Sequence, residues 1–257
     1  MGPVSETEVL EQNLLTGRCA IVTGAGTGIG RAVALRLGAL GARVIGIGRR
    51  AELLAQTLSL GGAWFEPCAL DIRDADAVGE LFEHIDRVDL LVNNAGGQFV
   101  APAADISARG FGAVLDLNLT ATARLITLAR PLMTAGSVVV NVSLSDAERG
   151  IPGLAHAATA RAAIAGLTRE LARREPELLF YCLAPGTVLT DGVRLELTPQ
   201  ALRRVLETTP LGRDTHVEEV AEWVAALAAG IAPGTSGALI ELDGGSGLSG
   251  ATRTLAL

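Results

Sequence analysis

Four glycines in the stretch Thr23-Gly24-Ala25-Gly26-Thr27-Gly28-Ile29-Gly30 stand between an apolar run, Cys19 to Val22, and a helical pattern that begins at Arg31. A strand that ends in such a turn and continues as a helix presents uncommitted N–H groups at the helix start, where an anion is stabilised. A β-carbon would block the tight turn and hold the main chain away from a pyrophosphate. Gly24, Thr27, Gly28, Ile29 and Gly30 therefore read as a dinucleotide cradle. A tight strand-to-helix connection with no ligand is the plain alternative. At the end of the next β-rich run, Val44 to Ile47, comes Gly48-Arg49-Arg50. A carboxylate there would accept hydrogen bonds from an adenosine ribose, whereas an arginine meets a 2′-phosphate. Arg49, assisted by Arg50 and Thr27, points to NADPH rather than NADH. The alternative is a pair of solvated arginines at a helix start.

Composition narrows the setting. The chain has 257 residues, 49% of them hydrophobic, enough for one sizeable α/β core. No continuous apolar run reaches the roughly 20 residues that cross a bilayer. A formal charge of −7 argues against a nucleic-acid surface and against an anionic membrane as partners. Cys19, Cys68 and Cys182 are scattered, so neither a disulfide framework nor a metal site is indicated. The first dozen residues carry Glu6, Glu8 and Glu11 and lack the order of a secretory signal, which leads us to expect a cytoplasmic protein. All 21 Lys and Arg positions are arginine, and Tyr181 is the only tyrosine.

The elements that must hold these residues follow from periodicity. After a polar lead-in over residues 1–16, strands are expected at Arg18 to Thr23, Val44 to Ile47, Ala63 to Leu70, Val88 to Val92, Ser137 to Val142, Leu178 to Leu183 and Ala238 to Leu242. Helices are expected after the glycine turn to Leu40, and over Asp74 to Glu83, Ile106 to Leu132, Leu154 to Arg174, Thr198 to Thr208 and Val217 to Ala229. Apolar strands alternating with helices imply an α/β fold: a single Rossmann-type, doubly wound parallel sheet of about seven strands, covered on both faces. Residues 17–257 then form one domain. In such a sheet, ligands bind outside the carboxyl ends of the strands, where the motifs fall.

The T-G-x-x-x-G-x-G spacing resembles that of the short-chain dehydrogenase/reductases, and further matches run along the chain. Asp71-Ile72 resembles the pair that brackets the adenine. Asn93-Asn94-Ala95-Gly96 resembles the family N-N-A-G motif, and Pro185-Gly186-Thr187-Val188-Leu189-Thr190 its P-G segment. The resemblance implies cofactor contacts at Asp71, Ile72, Asn94, Ala95, Gly96, Pro185, Gly186, Val188 and Thr190, with Thr190 beside the nicotinamide carboxamide. It also implies a homo-oligomer, in the family commonly a tetramer, associating through the helices at Ile106 to Leu132 and Leu154 to Arg174, and a substrate lid near 191–210.

The family uses an Asn, Ser, Tyr and Lys set. Asn118 occupies the asparagine position, but Leu144 falls at the serine, Ala157 at the tyrosine and Arg161 at the lysine. Arg161 can hold the nicotinamide ribose but cannot deliver a proton at neutral pH. Gly97-Gln98-Phe99 and His156-Ala157-Ala158-Thr159-Ala160-Arg161 look like the trans-2-enoyl-CoA and 2,4-dienoyl-CoA reductase branch, which implies a thioester or other small-molecule substrate. Reduction of a conjugated C=C bond requires stabilisation of an enolate, and fixed donors and charge supply that without a phenol. Ser143, Ser145 and His156 are the remaining candidate donors beside Asn118 and Arg161. The competing expectation is an NADP(H)-binding protein without redox turnover.

Overall fold

The computed structural model describes residues 10–190 and 209–248, with isolated positions between them. Seven parallel strands form one sheet: β1 Cys19–Thr23, β2 Arg43–Gly48, β3 Phe65–Ala69, β4 Leu90–Asn93, β5 Val138–Val142, β6 Leu179–Pro185 and β7 Leu239–Leu242. Their order is β3-β2-β1-β4-β5-β6-β7. The strand order reverses between β1 and β4, whose pairing aligns Ala20 with Leu90 and Val22 with Val92. That reversal opens the crevice at their carboxyl ends.

Alternate residues of each strand face opposite layers. Ala20, Val22, Val44, Val92 and Val140 pack under α1 (Gly28–Ala39) and α7 (Val217–Ala228). Ile21, Ile45, Leu91, Val139 and Phe180 pack under α3 (Ala75–Glu83) and α5 (Ala121–Ala129). Arg36 of α1 and Glu222 of α7 join the two helices by an ion pair of 2.6 Å. Continuous apolar strands are what two covered faces require.

Three differences from the sequence-based expectation have physical causes. The lead-in is anchored from Leu10 onward, because Leu10 and Leu15 enter the core and the Leu15 N–H bonds to Leu40 O at 2.8 Å. A helix the periodicity did not suggest, α2 at Ala51–Gly61, buries only Leu54 and Thr57, too narrow an apolar stripe to stand out. The helix expected over 106–132 is divided into α4 (Ala108–Leu115), a π turn at Asp116–Thr120, α5 and a closing 3-10 turn. That run is 25 residues long and apolar enough to cross a membrane by length and composition, although no strictly apolar run of that length stands in the sequence. Here it lies along the sheet, with Ala121, Leu125, Ile126 and Ala129 buried. Most of the helix expected over 198–208, and of the lid at 191–210, lies outside the described residues.

Candidate active site

The glycine turn is built as its spacing requires. Gly24 and Gly28 have φ of +71° and +52°, a region costly for other residues. A β-carbon on Gly30 would lie 2.2 Å from the Gly24 carbonyl, and one on Gly24 would lie 2.7 Å from Asn94 Nδ2. Thr27 caps α1 from an extended conformation without a side-chain bond, and no acidic residue enters the first turn. The first-turn N–H groups at 28–30 thus face outward from an uncapped helix start. Thr190, beyond β6, closes the other side, its Cγ2 2.8 Å from where a Gly28 β-carbon would stand.

Thr23, which opens the T-G-x-x-x-G-x-G motif but is not among the expected cofactor contacts, ties this turn to the next motif. Its Oγ1 accepts the N–H groups of Asn94 and Ala95, both at 2.9 Å, and Asn94 Nδ2 donates to the Thr23 carbonyl at 2.9 Å. On the far side, the Gly186 N–H reaches Leu242 O at 2.8 Å and holds Pro185 and Gly186 at the end of β6, with Val188 buried after them. At the adenosine end, Arg49 and Arg50 are exposed between β2 and α2 and carry no ion pair among the described residues. Asp71 is bound to Arg73 at 2.6 Å, and that guanidinium, more than Arg49, holds its carboxyl below the usual carboxylate range. Ile72 is buried beside it. The cradle and the outward N–H groups fit the pyrophosphate of a dinucleotide, and the arginines stand at its adenosine end.

At the chemical end, Gly96, Asn118 and Arg161 converge. A β-carbon on Gly96 would lie 2.0 Å from Arg161 Nη2 and 2.6 Å from Asn118 Oδ1. Asn118 is 1% exposed, and its amide is fully engaged: Nδ2 donates to Val114 O at 2.8 Å and Gly97 O at 2.9 Å, while Oδ1 accepts the Gly97 N–H at 3.3 Å. The π turn turns this side chain inward, and the amide positions the loop after β4 rather than a substrate. Arg161 projects from α6 (Ala155–Arg174), donates through Nη1 to Val142 O and has no carboxylate partner among the described residues. Burial pulls its guanidinium down to about 10, so it stays a cation at neutral pH.

The other three candidate donors lie close by but differ in availability. The Ser143 hydroxyl donates to the Arg161 carbonyl at 3.0 Å, so it braces α6. Ser145 is wholly buried, with its N–H on Pro185 O at 3.0 Å. His156 is also wholly buried, lies against Phe99 with ring centroids 4.2 Å apart and planes tilted by 55°, and has no partner at either ring nitrogen among the described residues. Desolvation lowers its pKa, which makes it a neutral imidazole rather than a charged acid. Leu144 and Ala157 meet in a small apolar cluster with Val114, Ile151 and Leu154. The polar pair that would sit at these positions is replaced by packed hydrocarbon. A buried chain from Asn93 Nδ2 to Asn141 Oδ1 at 2.8 Å, and from Asn141 Nδ2 to Thr168 Oγ1 at 3.0 Å, fixes α6 to β4 and β5.

A doubly wound sheet with a glycine cradle at its switch point defines a dinucleotide-binding scaffold, and the chain belongs to the short-chain dehydrogenase/reductase family. Residues 24–247 match the family model described as enoyl-(acyl carrier protein) reductase. The chain is 32% identical over 261 residues to the probable 2,4-dienoyl-CoA reductase 3 of Caenorhabditis elegans, covering 95% of this chain and 84% of that one. It is 33% identical over 246 residues to the 3-oxoacyl-acyl-carrier-protein reductase FabG of Pseudomonas aeruginosa, covering 91% of this chain and 99% of that one. A solved structure of a provisionally assigned gluconate dehydrogenase from Agrobacterium tumefaciens superimposes with a TM-score of 0.84 at 29% identity, over 92% of this chain and 98% of that one. These relatives are oxidoreductases of a family that uses nicotinamide cofactors, and the dienoyl-CoA reductase branch is among them.

Proposed function

We propose that this protein is an NADPH-dependent reductase of an activated alkene of the enoyl-thioester type, or of a related carbonyl, working without a phenol and ammonium pair. The observation that carries the reading is the packing of the Arg161 guanidinium against Gly96, beside the apolar cluster of Leu144 and Ala157. The bound nicotinamide supplies a hydride. Arg161 contributes a fixed cation, within the same half-buried environment, for the ribose hydroxyls and for negative charge developing on a thioester oxygen. Hydrocarbon at 144 and 157 leaves no side-chain acid there, so solvent supplies the proton that ends at the α-carbon. Asn118 and Ser143 hold the loop and helix that aim Arg161. Membership of the family further supports a homo-oligomer joined through the helical run at 106–132, a third of whose apolar window is buried, and through the helix at 154–174.

Anaerobic mixing with NADPH and a panel of enoyl and keto thioesters, followed at the absorbance of the reduced nicotinamide, tests the reading. Oxidation with enoyl thioesters is expected. The apolar cluster also favours a second reading, an NADP(H)-binding protein without redox turnover, and tight NADPH binding with no oxidation across the panel would select it.

A further inference from the structure

Two residues outside the family motifs bolt the glycine turn to α2. Thr57 is wholly buried; its hydroxyl donates to Ala25 O at 3.0 Å, with Leu53 O of its own helix a second acceptor at 3.2 Å, and accepts from Arg31 Nε at 3.1 Å. Arg31 Nη2 donates to Gly26 O and to Gln56 Oε1, the latter at 3.0 Å. The two elements also touch directly, since a β-carbon on Gly26 would stand 3.1 Å from Leu53 Cβ. A planar trans peptide points its C=O and N–H in opposite directions. Drawing the Ala25 and Gly26 carbonyls toward α2 therefore turns the N–H groups of Gly26 and Thr27 away from it.

The same helix carries the other charged end of the proposed cofactor site. Arg50 is the N-cap of α2, its carbonyl accepting from Leu53 N at 3.2 Å and Leu54 N at 3.3 Å, and Arg49 precedes it. We infer that Arg31 and Thr57 are positioning residues that couple the two phosphate sites, fixing the distance between the pyrophosphate turn and the arginines that receive a 2′-phosphate. This inference rests on the NADPH reading. Preference for the phosphorylated cofactor is then set by this bolt as well as by Arg49 itself, because an arginine on a loosened helix loses the geometry a bidentate contact needs.

Calorimetric titration of NADPH and NADH into the parent protein and into Thr57→Val, Thr57→Ser, Arg31→Met, Arg49→Ala and the Arg49→Ala/Thr57→Val pair tests it. Thr57→Val and Arg31→Met are each expected to cut the ratio of NADPH to NADH affinity by about 10-fold, with Thr57→Ser restoring it. Arg49→Ala is expected to cost NADPH affinity far less in the Thr57→Val background, the signature of coupled sites. An equal loss for both cofactors, no loss, or an undiminished Arg49→Ala effect would overturn the coupling. Absence of NADPH preference in the parent protein would instead overturn the 2′-phosphate reading, before any variant is compared. If Thr57→Val does not fold, Arg31→Met, altering a half-buried side chain, carries the same comparison.

Discussion

Arg161 Nη2 stands 2.0 Å from the point where a β-carbon on Gly96 would lie. The glycine of the loop after β4 and the cation of α6 are thus packed together, and no side chain can be added at position 96 without moving the guanidinium.

Arg161→Met is expected to lower turnover by about 100-fold or more, the scale for losing one preorganised charge-stabilising group. It should also weaken cofactor binding, because the proposed mechanism gives the same side chain the ribose hydroxyls. Gly96→Ala should reproduce part of both losses by displacing the guanidinium, with little change in thermal midpoint, since this loop lies outside the core. Single-turnover rates and calorimetric titration distinguish the two contributions. A retained rate in Arg161→Met would remove the cation from the mechanism.

Arg49 is exposed and unpaired among the described residues. Arg49→Ala should weaken NADPH about 10-fold or more, matching loss of one charge-assisted contact of about 1.5–3 kcal/mol. NADH affinity should hardly move, since Asp71, the nearby carboxylate, is bound to Arg73. Parallel titrations check this, and equal parent affinities for the two cofactors would count against it.

Much of this was legible in the sequence because each signal was local. Four glycines between an apolar run and a helical pattern can form few other turns, and Gly48-Arg49-Arg50 stands where the second strand ends. Continuous apolar strands announced a sheet covered on both faces. The engagement of Asn118 was not legible, because its amide is consumed by the π turn and by Gly97, which a residue type cannot reveal. Nor were Thr57 and Arg31: their meeting depends on α2, whose narrow buried stripe left no clear periodicity. Thr23 opens the glycine motif, but its bracing role was not legible, since its bonds to Asn94 and Ala95 span about 70 positions that only the β1–β4 pairing brings together.

His156 links the site to acid stability. Burial lowers its pKa from 6.5, so between the folded and unfolded values the unfolded chain binds a proton that the folded protein does not. Stability must then fall as pH drops below about 6.5. His156→Gln should flatten that fall. Urea midpoints measured between about pH 7.5 and pH 5.5 for parent and variant give the comparison, and identical slopes would show that His156 is not the group responsible.

Leu144 and Ala157 decide whether the usual polar set can be restored. Ala157 is 1% exposed and packs with Val114, Ile151 and Leu154, while Leu144 covers the cluster. A tyrosine at 157 must therefore displace packed hydrocarbon, and overpacking of this kind costs typically about 1–3 kcal/mol. Leu144→Ser adds a hydroxyl beside the same cluster, where burial without a partner is also unfavourable. Arg161→Lys exchanges a planar fork, braced on Val142 O and packed against Gly96, for a point charge. The triple variant Leu144→Ser, Ala157→Tyr, Arg161→Lys should accordingly melt lower than the parent and show neutral or reduced activity on enoyl thioesters, since side chains displaced by the phenol would disturb the Arg161 arrangement on which the proposed reaction depends. Thermal denaturation and rates with paired enoyl and keto thioesters test both halves of the expectation. A large gain in ketone reduction, from a parent with no alkene activity to lose, would mean that the apolar cluster is a decayed version of the usual site and that the Arg161 arrangement is not a working alternative.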